Sequence, residues 1–350
     1  MDRRILRADI LLFLTAGIWG FAFVAQRSGM EHVGPFAYTA MRFILGSLSL
    51  LPLILAGRRV LPRSGAATGK AVPGLKKICF FSVVAGCCLF AGITLQQLGI
   101  MFTTTGNAGF ITGLYVVLTP VFGIFLKHKT GQATWIGAAF TLAGLYLVAT
   151  NGGLESLNPG DILITASAFF WAFHVLIIDR FLVKGVDPVV LSFGQFAVCA
   201  VLALPAAIIA EPAIQPFVAG IDSGLLQTGA FGWMPLPALL SGYFSGTLGF
   251  PSGAVIPVLY GGICSVGIAY TLQVVAQKDA PPAHAAIILC FEGSFAALGG
   301  FLLLGEQIGG RTLAGFAFML AGMLVSQLGT VKVPSGGKRF RLPRRKRRGG

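Results

Sequence analysis

Glu292 is the tenth residue of an apolar run, 283–304, that holds no other acid. An ionised carboxylate within hydrocarbon costs at least a few kcal/mol on insertion scales. Such a group has two chemical uses: to take up and release a proton, or to meet a cationic part of a ligand. The alternative is a protonated, hydrogen-bonded structural glutamate. Other polar side chains fall within apolar runs in the same way. His174 follows Trp171 in the run 161–182, Arg42 is seventh in 36–56, and Trp19 lies in 9–27. Gln96, Gln97, Gln195 and Gln273 add neutral polar groups. Glu292, His174, Gln96, Gln273, Trp19, Trp171 and Arg42 are therefore the candidate contacts for a substrate or a proton. Each has a structural counter-reading: Arg42 snorkels to the surface or links helices, His174 is merely hydrogen-bonded, and the glutamines bridge helices. His284, after Pro281-Pro282, reads as part of a helix start, and Glu306 as an end-of-helix packing or capping group.

The chemistry missing from the sequence narrows the field. It contains no HExxH, no GxSxG, no paired intramembrane aspartates and no nucleotide-binding loop. The six cysteines, Cys79, Cys87, Cys88, Cys199, Cys264 and Cys290, all fall within apolar runs, without a nearby histidine cluster. They read as small packing residues. The sequence thus calls for no metal, no cofactor and no catalytic residue. A membrane-embedded enzyme or a channel without a recognisable motif stays open as the alternative to a carrier. A channel needs a pore ringed by charge or carbonyls, usually built from several subunits.

The elements that position these residues follow from composition. Of 350 residues 55% are hydrophobic and only 11% charged, against roughly 25% charged in a soluble domain. Ten apolar runs approach the length of about 20 residues that a helix needs to cross a bilayer: 9–27, 36–56, 78–98, 106–126, 132–150, 161–182, 189–210, 254–277, 283–304 and 311–330. None shows the strict alternation of a barrel strand. The first run follows Arg3, Arg4 and Arg7 as a secretory leader would, but continues to Val24 without a convincing cleavage site, and reads as a retained helix.

Basic residues orient the chain. Of its 26 Lys and Arg, 23 fall on the side that holds both termini, and only Arg27 and Arg311 on the other, with Arg42 inside a run. The positive-inside rule puts the rich side, and both termini, in the cytoplasm; the setting is a bacterial cytoplasmic (inner) membrane. The net charge of +14 then has a topological origin. The basic tail of 331–350 can touch anionic lipid. With a single aromatic, Phe340, it makes a poor nucleic-acid module.

The halves resemble each other. Residues 131–145, GQATWIGAAFTLAGL, match 309–323, GGRTLAGFAFMLAGM, at an offset of 178. The shared residues include Gly137/Gly315, Phe140/Phe318 and Gly144/Gly322. Leu95-Gln96 matches Leu272-Gln273 at 177, Trp19 echoes Trp171, and Pro35 echoes Pro188. Five runs per copy is an odd number, so consecutive copies insert with opposite orientation, a recurring transporter architecture. The fold expected is an all-α integral membrane protein of ten transmembrane helices in two inverted five-helix repeats. They span 9–150 and 161–330, after a cytoplasmic segment 1–8. Gly137, Gly144, Gly315 and Gly322, each pair two turns apart, read as helix-packing sites.

Several segments in order carry a family resemblance: Trp19-Gly20-Phe21, Met41-Arg42-Phe43 with the leucine-rich run to Leu55, Leu118-Thr119-Pro120, Leu302-Leu303-Leu304-Gly305-Glu306, and the paired Gly-x6-Gly helices. Over about 9–330 the chain resembles the EamA-like transporters of the drug/metabolite transporter superfamily. The resemblance implies a ten-helix bundle with a central cavity and alternating access. It also implies movement of small metabolites or drug-like solutes, often outward and often proton-linked. Substrate identity and oligomeric state do not follow. There are departures: Lys127-His128-Lys129 stands where the family has an acid closing the fourth helix, and Phe291-Glu292-Gly293-Ser294 lacks the usual proline. The stretch 211–253 is longer than usual and carries no Lys or Arg, as suits an outer loop or a partly inserted cap.

Overall fold

The computed structural model describes residues 3–60, 73–126, 130–149, 159–219 and 251–331. Helices make up these segments, with short turns between: α1 (Arg3–Met30), α2 (Pro35–Val60), α3 (Leu75–Ile100), α4 (Thr105–Thr112), α5 (Tyr115–Phe125), α6 (Gln132–Ala149), α7 (Pro159–Val183), α8 (Pro188–Ala219), α9 (Ser252–Leu259), α10 (Thr271–Ala276), α11 (Pro282–Leu289), α12 (Glu292–Leu304) and α13 (Gly310–Val331). Proline opens α2, α7, α8 and α11, where its fixed φ suits a first turn and its missing N–H costs nothing. Gly185 and Gly305 end α7 and α12 at positive φ, 87° and 70°, a backbone that side chains resist.

Among the described residues, eight segments are long and apolar enough to cross a membrane. Three of them are composite. The fourth joins α4 to α5 and the eighth joins α11 to α12. The seventh runs from α9 through a π-helical stretch, Tyr260–Tyr270, into α10. The two remaining helices, α6 and α13, are apolar. They pack on each other antiparallel. A Cβ at Gly137 would strike the Gly322 carbonyl and Ser326, and one at Gly144 the Gly315 carbonyl and Met319. The backbones therefore touch along this seam with no side chain between, as small residues permit in lipid.

The outside of the bundle is apolar, with Phe125 80% and Ile256 77% exposed. That is the surface expected when the solvent is lipid. The inside mixes aromatic and polar groups.

Two sequence expectations change. The first helix starts at Arg3, so most of 1–8 is helical. The eighth helix runs on to Ala219, into the stretch read as a loop from 211. Its buried Glu211 explains why: Oε2 accepts the Ala37 N–H at 3.2 Å and holds this end against the first turn of α2. The rest of that stretch, 220–250, lies outside the described residues, as do 127–129 and the tail beyond Val331. Besides Glu292, the carboxylates of Asp9, Asp161 and Glu211 are buried.

Candidate functional site

A narrow cavity of about 30 Å³ is lined by α1 to α5 from the first half and by α7, the π-helical stretch and α10 to α12 from the second. All seven side chains nominated from the sequence line it: Trp19, Arg42, Gln96, Trp171, His174, Gln273 and Glu292. They come from α1, α2, α3, α7, α10 and α12, so no single element makes the site.

Glu292 owes its place to a break. Helices α11 and α12 meet at Cys290-Phe291 in a tightened turn, where Phe291 N–H donates to Ile288 O at 3.2 Å and Gly293 N–H to Cys290 O at 3.1 Å. Glu292 is the first residue beyond it and is 5% exposed. Helices α4 and α5 meet in a similar turn, with Leu114 N–H on Ile111 O at 3.1 Å. Tyr115 is the first residue beyond that turn, 177 positions before Glu292. The Tyr115 hydroxyl stands next to the Glu292 carboxyl, yet it completes no hydrogen bond of good geometry.

The neighbouring residues sort by whether they are answered. Gln96 Nε2 donates to Thr112 Oγ1 at 3.0 Å. His174 Nε2 lies 2.8 Å from Gln195 Oε1, which puts the ring hydrogen on Nε2 when that oxygen accepts. Gln273 Nε2 donates to Gln277 Oε1 at 3.1 Å, and Gln277 in turn to Val175 O at 3.1 Å. Trp19 Nε1 donates to Ser265 O at 3.3 Å. By contrast Arg42 Nε and Nη2, Trp171 Nε1, Gln26 Oε1 and Gln273 Oε1 are buried without a partner. Native interiors seldom leave such groups unanswered.

Arg42 overturns its surface reading. It is 1% exposed and does not snorkel; its guanidinium lies 5.2 Å from the Phe43 ring centre and 5.5 Å from that of Tyr38. Tyr270, which the sequence did not single out, joins the walls: its ring centre is 4.5 Å from Trp19, 6.2 Å from Trp171 and 6.3 Å from His174. The π-helical stretch ends on this residue, and such wide turns are frequent at functional sites. Gln97, also named from sequence, is buried with both amide atoms unpartnered and is not among the cavity residues.

Two polar clusters lie at opposite ends of the bundle. Glu306 accepts from Thr105 N–H at 3.0 Å and Thr105 Oγ1 at 2.8 Å, and Arg27 donates to Thr103 O at 2.8 Å. His284 Nε2 lies 2.9 Å from Asp9 Oδ1, with Ser326 Oγ 3.4 Å from Nδ1. Among the described residues no group of three His, Cys, Asp or Glu is placed to hold a metal ion.

The model of the EamA-like transporter family matches residues 6–150 and 229–327, and the chain belongs to that family. An uncharacterised transporter of Archaeoglobus fulgidus is 29% identical over 204 residues, 58% of each chain. A second from the same organism is 25% identical over 91% of this chain and 97% of its own. The uncharacterised inner membrane transporter YedA of Escherichia coli K12 is 25% identical over 46% of this chain and 50% of its own. One solved crystal structure superposes with a TM-score of 0.65 over 93% of this chain and 98% of its own, at 19% identity; that likeness concerns the fold. This is an integral membrane protein of a transporter family.

Proposed function

We propose that the protein is a secondary transporter that moves a small metabolite or drug-like solute across the cytoplasmic membrane, opening the central cavity to one side and then the other. The observation that carries this is the convergence of seven polar or aromatic side chains, nominated one by one from six apolar helices, on a single cavity. A structural polar residue needs only a local partner; a carrier needs its polar residues pooled.

The reading includes ten spans, with α6 and α13 as the fifth and tenth, in two inverted repeats with both termini cytoplasmic. The packing supports it. Exchanging each helix for its counterpart in the other half leaves the principal neighbours unchanged. Thus α2 packs on α8 and α6 on α13, while α1 against α12 corresponds to α7 against α4 and α5. The seam obeys the same exchange, because Gly137 facing Gly322 becomes Gly315 facing Gly144. The direction we assign is outward. Glu292 serves either as the proton-coupling group or as the contact for a cationic part of the solute.

Reconstituted into liposomes, the protein should move members of a metabolite panel, and faster with an imposed pH gradient. Glu292→Gln keeps shape and hydrogen bonding but cannot ionise. It should insert normally and lose the response to pH. Unchanged rate and pH dependence in that variant would remove Glu292 from the mechanism.

A further inference from the structure

Several charged groups elsewhere in the described bundle have partners. Arg27 is held by Thr103 O and stands 3.9 Å from Glu306, His284 faces Asp9, and Glu211 takes the Ala37 N–H. Arg42 differs. Among the described residues it is the largest fully buried side chain, its Nε and Nη2 have no acceptor, and no carboxylate lies within ion-pairing distance. The rings of Tyr38 and Phe43 stabilise its charge through their faces, but a ring face leaves the planar fork of N–H donors unused. A cation kept in hydrocarbon without an acceptor is costly, and its upkeep makes sense if the acceptor arrives with a ligand.

From this geometry we infer that Arg42 is the anchor for a carboxylate on the transported solute, and that the solutes are small organic monocarboxylates with an apolar or aromatic body. The inference rests on the cavity being the solute site. A guanidinium matches a carboxylate with two parallel hydrogen bonds. Trp171 Nε1, also buried and unpartnered, faces the same cavity and offers a further donor. Trp19 and Tyr270, with ring centres 4.5 Å apart, provide an aromatic wall for the body of the solute. A phosphate dianion suits the site less well. The cavity lining has one arginine, no lysine, and the carboxyl of Glu292.

The test is binding by the purified full-length protein, read by quenching of tryptophan fluorescence, since Trp19 and Trp171 line the cavity. Phenylacetate and its neutral isostere phenylacetamide are the probes, with acetate, benzoate and indole-3-acetate alongside. Phenylacetate should bind at least about tenfold tighter than the amide, one charge-assisted hydrogen bond's worth. Arg42→Gln should abolish that preference and Arg42→Lys retain part of it. Equal binding of acid and amide by the unaltered protein overturns the inference, as does binding of none of the carboxylates. The first of these comparisons needs no variant and so survives a misfolded Arg42→Gln. An unchanged preference in a folded Arg42→Gln also overturns it. Transport is scored separately. Carboxylate binding through Arg42 without solute flux would keep the anion site and defeat the transporter reading. Flux of a neutral or cationic solute, unaltered in Arg42→Gln, would do the reverse.

Discussion

Two glutamates bracket the same helix, 14 residues apart. Glu306, just past the end of α12, accepts three hydrogen bonds from Thr105 and Gly106 and so caps the start of α4. Glu292, at the beginning of α12, stands in the cavity beside a tyrosine hydroxyl that has not closed a bond with it. The first carboxylate has its oxygens committed to holding two helices together. The second is more deeply buried and far less committed. In an interior without water, an answered polar group is architecture, and an unanswered one is held in readiness.

The contrast can be broken or sharpened at three positions. Glu306→Ala should have the largest effect on stability. It strips two backbone N–H groups and a hydroxyl of their acceptor, at about 2–3 kcal/mol, seen as a lower thermal midpoint in detergent. A midpoint equal to that of the unaltered protein would show that water replaces the cap. His284→Ala should cost somewhat less, about 2 kcal/mol, by leaving the buried Asp9 carboxyl without its partner; Asp9→Asn combined with it should recover part of the loss. Trp171→Phe should change stability least, by under about 1 kcal/mol, because the indole N–H it removes has no partner to strand. Its transport should nevertheless fall about tenfold, the value of one hydrogen bond made only with solute. If Trp171→Phe destabilises the protein more than Glu306→Ala does, the distinction between committed and uncommitted groups is wrong.

Much of this was legible in the sequence because hydrocarbon penalises polarity so heavily. A histidine, an arginine, a glutamate and two glutamines inside apolar runs identify themselves, and the cavity gathers all five. Tyr115 and Tyr270 carry no such mark, since an aromatic in a lipid-facing helix is ordinary. Only the offset of 177 that relates Gln96 to Gln273 would have led from Glu292 to Tyr115. The pairing of His284 with Asp9 joins residues 275 apart, a separation that no local pattern bridges. The extension of α8 to Ala219 was hidden by Pro212 and Pro216, which read as breakers; the tertiary contact of Glu211 with α2 outweighs that local signal. The breaks at Gly113-Leu114 and Cys290-Phe291 left no proline to announce them.

The seam between α6 and α13 also has a history in time. Gly144 leaves the ribosome 171 residues ahead of Gly315, an interval of roughly 10–30 s at ordinary elongation rates. Throughout it the nascent first half carries a glycine stripe that its partner does not yet cover. The partner that covers the stripe is α13, made well after it. Closure of this seam therefore waits on the synthesis of α13, and a message truncated just before it would yield a chain with an open flank, a natural substrate for membrane quality control.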